Sequence, residues 1–337
     1  MANANAPQLR RTRIIGTGSY APEKVLTNKD LEKIVDTTDE WIVERTGIRE
    51  RRMAADDEVT SDMAHKAALR ALEMAGTKPE ELDLIIVGTI SPDMPMPSSA
   101  AFLQHKLGAK RAFAFDLSAA CAGSLYGLSI ADQFVKTGAV KRALVIGVEL
   151  LTRIIDWEDR NTCVLFGDAA GAFVLGPAED GDDSRGILST HLHTEGALTD
   201  ILCIRGGGSK HPMSEQVMKD KLHKVAMNGR EVFKFAVRSL TDAVNEALTH
   251  NGLTAAQVDH VIAHQANVRI IDAVLDRVGL PQEKVWLNIH KYGNTSSASL
   301  PMTLDEANRA GRLKKGDTIA MMAIGAGMAW GSAIVRW

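Results

Sequence analysis

Apolar residues recur along the chain in short continuous runs, and longer segments with apolar positions every three or four residues separate many of these runs. Continuous runs are typical of strands buried on both faces, whereas the three-to-four spacing is typical of helices. The predicted strands occupy residues 13–19, 82–90, 112–117, 142–150, 170–176, 258–265, 284–289, 317–327 and 332–337. The clearest predicted helices occupy residues 61–76 and 229–252. This alternation predicts an α/β protein with largely parallel sheets covered on both faces.

The two halves of the chain resemble each other. The segment AALRALEMAGTKPEELDLIIVGT begins at Ala67, and AVNEALTHNGLTAAQVDHVIAHQ begins at Ala243, 176 positions later. The same offset aligns Cys121 with Ser297. Any two helix–turn–strand units share part of such a pattern, but the matching order of elements favours a duplication. Two repeats related by a pseudo-twofold axis would bring the starts of their equivalent helices together at the centre.

One segment breaks the repeat. Residues 178–226 contain AEDGDDSRG and IRGGGSKHPMSEQ, which are typical of surface loops and a connection. We therefore divide the chain into an N-terminal half (1–177), a connecting and loop region (178–226) and a C-terminal half (227–337).

Composition narrows the class of protein. The chain is 45% hydrophobic and 24% charged, with a formal net charge of −3, so wholesale binding of nucleic acid is not expected. Its three cysteines form no CxxC pair, which argues against a disulfide scaffold or a zinc site. The first 13 residues lack the apolar core of a signal peptide, and no apolar run is long enough to span a membrane. We expect a soluble cytoplasmic protein.

Cys121 stands among small residues in FDLSAACAGSLYGL, after a predicted strand and at the start of a helix-like run. A helix N-terminus favours a thiolate, so this position suits a nucleophile. A small buried packing residue is the alternative. For Cys163 and Cys203, which lie in apolar strand-like segments, core packing is the better interpretation.

Two more polar residues follow predicted strands. His264 lies in VIAHQANVR and Asn294 in HKYGNTSSAS. Each has an ordinary structural interpretation, as a half-buried histidine or as a turn asparagine. Together with Cys121 they could perform thioester chemistry: the cysteine accepts an acyl group, and the other two stabilise an enolate. The glycine-rich segment AIGAGMAWGS could supply backbone N–H groups to an oxyanion hole.

The whole chain resembles a known family. The motifs GTGSYAPEKVLTN, TDEWIVERTGIRERR, SAACAG, FGDAAGA, MNGREVFKFAV, HQANVRI, YGNTSSAS and GAGMAWGSA are similar to those of β-ketoacyl-acyl-carrier-protein synthase III, the condensing enzymes that initiate bacterial fatty-acid synthesis. The resemblance implies a duplicated thiolase-like fold with five layers, αβαβα, two mixed sheets and a homodimer. It places the family's catalytic residues on Cys121, His264 and Asn294.

The resemblance also implies the reaction. Cys121 attacks an acyl-CoA, and the backbone N–H groups of Cys121 and Ala326 hold the oxyanion. Malonyl-acyl-carrier protein then loses carbon dioxide, and the enolate, stabilised by His264 and Asn294, attacks the acyl-cysteine. The product is a 3-ketoacyl-acyl-carrier protein. No metal or redox cofactor is expected, and acyl-CoA is a substrate.

The remaining site residues are likewise implied by the resemblance. The expected CoA-binding residues are Trp41, Arg45, Arg160, Gly229, Phe233 and Asn267. The expected contacts with the carrier protein are Lys234 and Arg269. The expected walls of the acyl pocket are Met96, Leu151, Phe166 and Leu202.

Two positions depart from the family pattern. Met96 stands where many relatives carry an aromatic residue that reaches across the dimer, and a flexible methionine suggests a pocket for chains longer than acetyl. Ala326 replaces a glycine, which leaves its backbone N–H in place.

Other functions compete with this interpretation. A cysteine protease also uses Cys, His and Asn, but the papain-type signature around the cysteine is absent. A secondary-metabolite, polyketide-type ketosynthase of the same family would join longer acyl chains, with donors bound to CoA or to a carrier. A binding module without catalysis would show no acylation of Cys121. We expect structural roles for RERR (49–52) and for the histidines of HLH (191–193).

Overall fold

A computed structural model describes residues 9–178 and 184–337. Residues 1–8, and residues 179–183 of the predicted loop region, lie outside the described residues. The strands are β1 (Thr12–Tyr20), β2 (Lys24–Thr27), β3 (Glu50–Met53), β4 (Leu84–Gly88), β5 (Phe113–Leu117), β6 (Ala143–Glu149), β7 (Ala169–Pro177), β8 (Gly186–Thr194), β9 (Leu202–Ile204), β10 (Val225–Met227), β11 (His260–Ala263), β12 (Thr318–Gly325) and β13 (Ala329–Arg336). The α-helices are α1 (Asn28–Leu31), α2 (Asp39–Thr46), α3 (Thr60–Ala75), α4 (Ser99–Leu107), α5 (Gly123–Lys136), α6 (Arg160–Cys163), α7 (Glu215–Lys219), α8 (Gly229–His250), α9 (Val268–Val278), α10 (Ile289–Tyr292) and α11 (Ser299–Arg309).

Two mixed sheets form the centre of the fold. The first has the order β1-β7-β6-β4-β5, and β4 runs parallel to both β5 and β6, whereas the other pairs are antiparallel. The second has the order β11-β12-β13-β8, in which only β11 and β12 are parallel. The prediction of largely parallel sheets is therefore wrong, and the two mixed sheets implied by the family resemblance are confirmed. The short turn Ala326–Met328 between β12 and β13 shows why, since a parallel pair needs a long crossover.

Helices and sheets alternate in five layers. Helices α3 and α4 cover the outer face of the first sheet, and α8 and α9 cover the outer face of the second. Helices α5 and α11 fill the space between the sheets. The central core includes Leu125 of α5, Leu300 of α11, Val145 of the first sheet and Met321 of the second. The αβαβα arrangement is confirmed.

The repeat is visible in the backbone. Three-residue 3-10 turns, Ala120–Ala122 and Ser296–Ala298, precede the two central helices, and their first residues have φ angles of +45° and +49°. The two turns contact each other at the centre of the molecule. A Cβ atom on Gly147 would lie 2.0 Å from the carbonyl oxygen of Ser297, so the backbones approach closely here and a side chain has no room.

Two predicted segments differ in the structure. The predicted strand 284–289 is wrong, since within it only Val285 forms a bridge, to Val261. The 3-10 turn Gln282–Lys284 occupies the start of the segment and α10 begins at Ile289, so too few residues remain for a strand. Segment 178–226, predicted as loops and a connection, also contains β8, which pairs with β13 at the edge of the second sheet. In the described part of the chain, no helix has the length and apolar character needed to cross a membrane.

Candidate active site

Two cavities meet at Cys121. The larger, of about 990 Å³, runs from the surface to Cys121, His264 and Asn294. The predicted CoA and carrier residues also line it: Trp41, Arg45, Arg160, Gly229, Phe233, Lys234, Asn267 and Arg269. The second, of about 500 Å³, also reaches Cys121, with three predicted acyl-pocket residues and Ala326 in its walls: Leu151, Phe166 and Leu202. The fold thus brings residues from both halves of the sequence to one place.

Cys121 has its thiol buried at the start of the central helix α5. Its 3-10 turn leads directly into the helix, as the sequence predicts, and the residue is only 7% exposed. Burial raises the pKa of the thiol to about 12, and the charge of Glu149 adds to this, while a hydrogen bond with Ser296 opposes it. The helix N-terminus was expected to lower this pKa, but desolvation outweighs it. The resting thiol therefore holds its proton at neutral pH.

The glycine-rich turn lies against the backbone of Cys121. A Cβ atom on Gly325 would lie 2.5 Å from the backbone nitrogen of Cys121 and 2.8 Å from the carbonyl oxygen of Ala119. Ala326 follows and shares the second cavity with Cys121. The two backbone segments predicted to form an oxyanion hole are therefore neighbours.

His264 directly follows strand β11 and is almost fully buried. Burial lowers its pKa to about 3, so the ring is neutral at physiological pH. Its Nδ1 lies 3.1 Å from the hydroxyl of Ser299, which already accepts a hydrogen bond from the backbone N–H of Gln265 at 2.7 Å. Because that hydroxyl has its own proton left to donate to Nδ1, this arrangement favours the tautomer with the proton on Nε2. His264 can then donate a hydrogen bond to a ligand.

Asn294 is held in place by its neighbours. Its backbone N–H donates to the carbonyl of Leu165 at 2.8 Å, and its Oδ1 accepts from the backbone N–H of Ser296 at 2.9 Å. These bonds orient the amide and leave Nδ2 available as a donor in the cavity. Neutral His264 and Asn294 are thus two hydrogen-bond donors beside the thiol, which is the requirement for stabilising an enolate or oxyanion.

The cavity mouth contains a stacked arginine–tryptophan cluster. The Cζ atoms of Arg45 and Arg160 lie 4.8 and 5.0 Å from the centre of the Trp41 ring. Arg160 also donates to the carbonyl of Asp36 at 2.9 Å. These are flat, cationic and aromatic surfaces on which a purine ring can stack. Because Arg160 packs directly on Trp41 here, an inserted ring would have to separate them.

Asn267 lines the larger cavity, but both polar atoms of its side chain also bind protein groups. Its Oδ1 accepts from the backbone N–H of Arg269 at the start of α9, and its Nδ2 donates to the carbonyl of Arg45 at 2.9 Å. The side chain therefore joins α2 to α9. Lys234 forms an exposed ion pair with Glu231.

Other predicted residues have mixed outcomes. Met96 is 83% exposed and lies outside the residues lining the acyl cavity of its own chain. Cys163 is buried, as predicted, but Cys203 is only half-buried and lines the acyl cavity, so core packing is wrong for it. The short strand β9 explains this, since among the described strands it pairs with β10 alone and lines the cavity instead of entering a main sheet.

Residues of RERR (49–52) and HLH (191–193), the two motifs expected to be structural, bind other groups of the same chain. The guanidinium of Arg51 is fully buried and donates to the carbonyls of Leu26 and Val164. His193 Nε2 lies 2.7 Å from Oε2 of Glu246, and His191 Nδ1 lies 3.2 Å from the other oxygen, Oε1, of the same carboxylate.

Sequence reasoning missed three polar residues behind the site. Ser299 hydrogen-bonds His264, while Ser296 contacts Cys121, Asn294 and Glu149. Glu149 is the one acidic residue in the apolar run RALVIGVEL, and that isolated charge is the signal that could have identified it.

Comparison with known proteins identifies the family. Residues 115–196 match the family model "3-Oxoacyl-[acyl-carrier-protein (ACP)] synthase III", and residues 248–337 match the model of its C-terminal part. The chain is 53% identical over 324 residues to a protein of Caldanaerobacter subterraneus subsp. tengcongensis named "Beta-ketoacyl-[acyl-carrier-protein] synthase III", covering 96% of this chain and 97% of that one. The chain belongs to the 3-oxoacyl-[acyl-carrier-protein] synthase III family.

Solved structures agree with this membership. The 3-oxoacyl-[acyl-carrier-protein] synthase III of Aquifex aeolicus VF5 superposes with a TM-score of 0.89 at 49% identity, covering 97% of this chain and all of that one. The priming β-ketosynthase of the R1128 polyketide pathway superposes with a TM-score of 0.91 at 38% identity, covering 99% and 98%. The thiolase-like fold implied by the family resemblance is confirmed.

Proposed function

We propose that this protein condenses an acyl-CoA with malonyl-acyl-carrier protein, with loss of carbon dioxide, and so initiates fatty-acid synthesis. The observation that carries the proposal is the convergence of Cys121, His264 and Asn294 on one cavity. Family membership supports the same reaction, because the relative at 53% identity has a name stating this synthase activity. Identity to the polyketide priming enzyme is lower, at 38%, so the secondary-metabolite alternative is not favoured.

The first half-reaction acylates Cys121. The acyl-CoA enters past Trp41 and Arg160 and places its thioester carbonyl at the sulfur, where the two cavities meet. The sulfur attacks the carbonyl carbon, and the backbone N–H groups of Cys121 and Ala326 stabilise the oxyanion. CoA then leaves, and the acyl chain extends into the second cavity.

The second half-reaction forms the carbon–carbon bond. Malonyl-acyl-carrier protein delivers its malonyl group through the same mouth, where Lys234 and Arg269 supply positive charge for an acidic carrier. Loss of carbon dioxide leaves an enolate, and hydrogen bonds from His264 Nε2 and Asn294 Nδ2 stabilise its oxygen. The enolate carbon attacks the acyl group and releases Cys121. We expect this chemistry to need no metal or redox cofactor, and we expect the protein to act in the cytoplasm.

The acyl cavity supports substrates longer than acetyl. In the single chain its volume of about 500 Å³ exceeds that of an acetyl group, and apolar side chains supply much of its wall. Ile204 lies in this wall but not in the wall of the CoA cavity. A larger side chain at position 204 should therefore shorten the acyl cavity without blocking the CoA cavity, which makes this position a test of acyl chain length.

We expect intact-protein mass spectrometry to detect acyl groups on Cys121 after mixing with acyl-CoAs from acetyl to long and branched chains. The wild-type protein should accept chains beyond acetyl, whereas Ile204→Trp should keep acetyl and lose the longest ones. Condensation with malonyl-acyl-carrier protein should follow for each loaded chain. Loading restricted to acetyl would contradict the pocket hypothesis, and no loading from any acyl-CoA would contradict the proposed function.

We also propose that the protein is a homodimer paired along β5. This strand is at the edge of the first sheet, with Phe113 47% exposed, and an open strand edge favours pairing with another chain. The exposed side chain of Met96 would be covered by the partner contact that the family resemblance implies.

Light scattering of the purified protein should give about twice the chain mass of 36.4 kDa. Phe113→Asp should shift the protein towards monomer, because it places a charge at the paired edge. Leu69→Asp is the matched control, since Leu69 is similarly exposed (46%) but lies on α3. A monomeric wild-type protein would contradict the dimer.

A further inference from the structure

A fully buried carboxyl group lies behind Cys121, and the reaction described above does not use it. Glu149 ends strand β6 and is 0% exposed. In the described part of the chain its oxygens accept hydrogen bonds from hydroxyl and backbone groups, including Ser91 Oγ at 2.6 Å and the N–H of Ile90 at 3.1 Å. Burial of a carboxylate without a cation is costly, so its place beside the nucleophile calls for an explanation.

Ser296 connects Glu149 to Cys121. The Ser296 hydroxyl donates to Glu149 Oε1 at 3.2 Å. Ser296 and Cys121 line the same cavity, the 3-10 turns that carry them are in contact, and a hydrogen bond with Ser296 lowers the pKa of the Cys121 thiol. Ser296 is 1% exposed, and its backbone N–H is fixed on Asn294. A hydroxyl that contacts both groups can accept a proton from one while it donates its own to the other.

We propose that Glu149 receives the Cys121 proton through the Ser296 hydroxyl when Cys121 is acylated, and returns it when Cys121 is released. This inference rests on the proposed function, because it needs the acyl-Cys121 intermediate. Glu149 is then a positioning residue that acts through Ser296 and stores one proton during each catalytic cycle.

The step balances in both directions. As the bond from sulfur to the acyl carbon forms, the S–H bond breaks, Ser296 takes that proton and gives its own to Glu149. CoA leaves as a thiolate and takes a proton from solvent. In the condensation, the Cys121 sulfur leaves with the electron pair of the S–C bond, and the proton returns from Glu149 through Ser296.

The protonation behaviour of the neighbouring groups supports this route. Burial raises the pKa of Glu149 to about 7, close to that of an effective proton acceptor at neutral pH. Its negative charge opposes a thiolate on Cys121, and the transferred proton removes that opposition. The other titratable groups near the pair are His264, neutral because its pKa is lowered to about 3, and Asp116, whose pKa is raised by burial while the backbone N–H groups of Ser99 and Ala100 bind it.

The test is the single-turnover rate of Cys121 acylation between about pH 5.5 and 9.5, followed by quenching and intact-protein mass spectrometry. The wild-type rate should rise through about pH 7, because Glu149 must be ionised to accept the proton. Glu149→Gln and Ser296→Ala should both lose this rise and acylate about 10²-fold more slowly at pH 8. Ser91→Ala is the matched control: it keeps the route but removes a hydrogen bond that lowers the pKa of Glu149, so the midpoint should move up by roughly 0.5–1 pH unit.

Two results would contradict the proton route. A rise near pH 7 that persists in Glu149→Gln, or an unmoved midpoint in Ser91→Ala, would overturn the proposal. Circular dichroism and acyl-CoA affinity show whether a slow variant is still folded and able to bind. If Glu149→Gln does not fold, the Ser91→Ala midpoint decides alone. Absence of acylation in the wild-type protein would refute the proposed function itself, whereas normal acylation with an unaffected profile would refute only the proton route.

Discussion

Replacing Cys121 with alanine is expected to abolish acyl loading and to lower the condensation rate by roughly 10³- to 10⁶-fold, the range seen when a nucleophile is removed. The variant should still decarboxylate malonyl-acyl-carrier protein, because His264 and Asn294 keep their hydrogen-bond partners. Intact-protein mass spectrometry measures loading, and release of carbon dioxide measures decarboxylation.

Cys163→Ala is the matched control for this experiment. Cys163 is also a free, buried cysteine, but it is the last residue of α6 and lines neither cavity. It should load acyl groups like the wild-type protein. Acyl groups that persist on Cys121→Ala would place the nucleophile elsewhere.

Replacing His264 with alanine is expected to separate the two half-reactions. Acyl loading should remain within several-fold of wild type, whereas condensation should fall by about 10²- to 10³-fold, because one of the two donors to the enolate is lost. The neutral ring explains this division: with its pKa lowered to about 3, His264 donates a hydrogen bond without accepting the thiol proton. Parallel loading and condensation assays measure the two effects.

His260→Ala provides the comparison, since His260 begins β11, the strand that His264 follows, but pairs with Asp317 at 3.0 Å outside the cavity. In the His260→Ala variant both half-reactions should proceed at nearly wild-type rates. Equal loss of loading and condensation in His264→Ala would instead make His264 the base that activates Cys121.

Much of the candidate site can be predicted from the sequence because its residues lie at the ends of strands. Cys121, His264 and Asn294 each follow an apolar run, and the resemblance to the family assigns a role to each. The repeat offset also predicts that the segments around Cys121 and Ser297 meet at the centre, which the contact between their 3-10 turns confirms. These predictions succeed because the ends of strands and the repeat offset can both be read from the spacing of residues along the chain.

Strand direction and edge strands are less accessible to such reasoning. An apolar run indicates burial on both faces, but it does not tell which way the neighbouring strand runs. The sheets are therefore mixed where the pattern predicts them largely parallel, and β8 joins the second sheet from a segment predicted as loops. The run at 284–289 is apolar because it packs on the core, although it forms only one bridge.

The sequence by itself determined the α/β class, the duplication and the residues at the strand ends, since each depends on spacing along the chain. Only the tertiary structure decided the protonation of the site and the residues behind it. The pKa values of Cys121 and His264 depend on burial by the whole fold, which reverses the effect expected from a helix N-terminus. The contact of Glu149 with Ser296 joins residues 147 positions apart, from opposite halves of the repeat. Such a pair forms only when the two repeats pack together, so no local pattern encodes it.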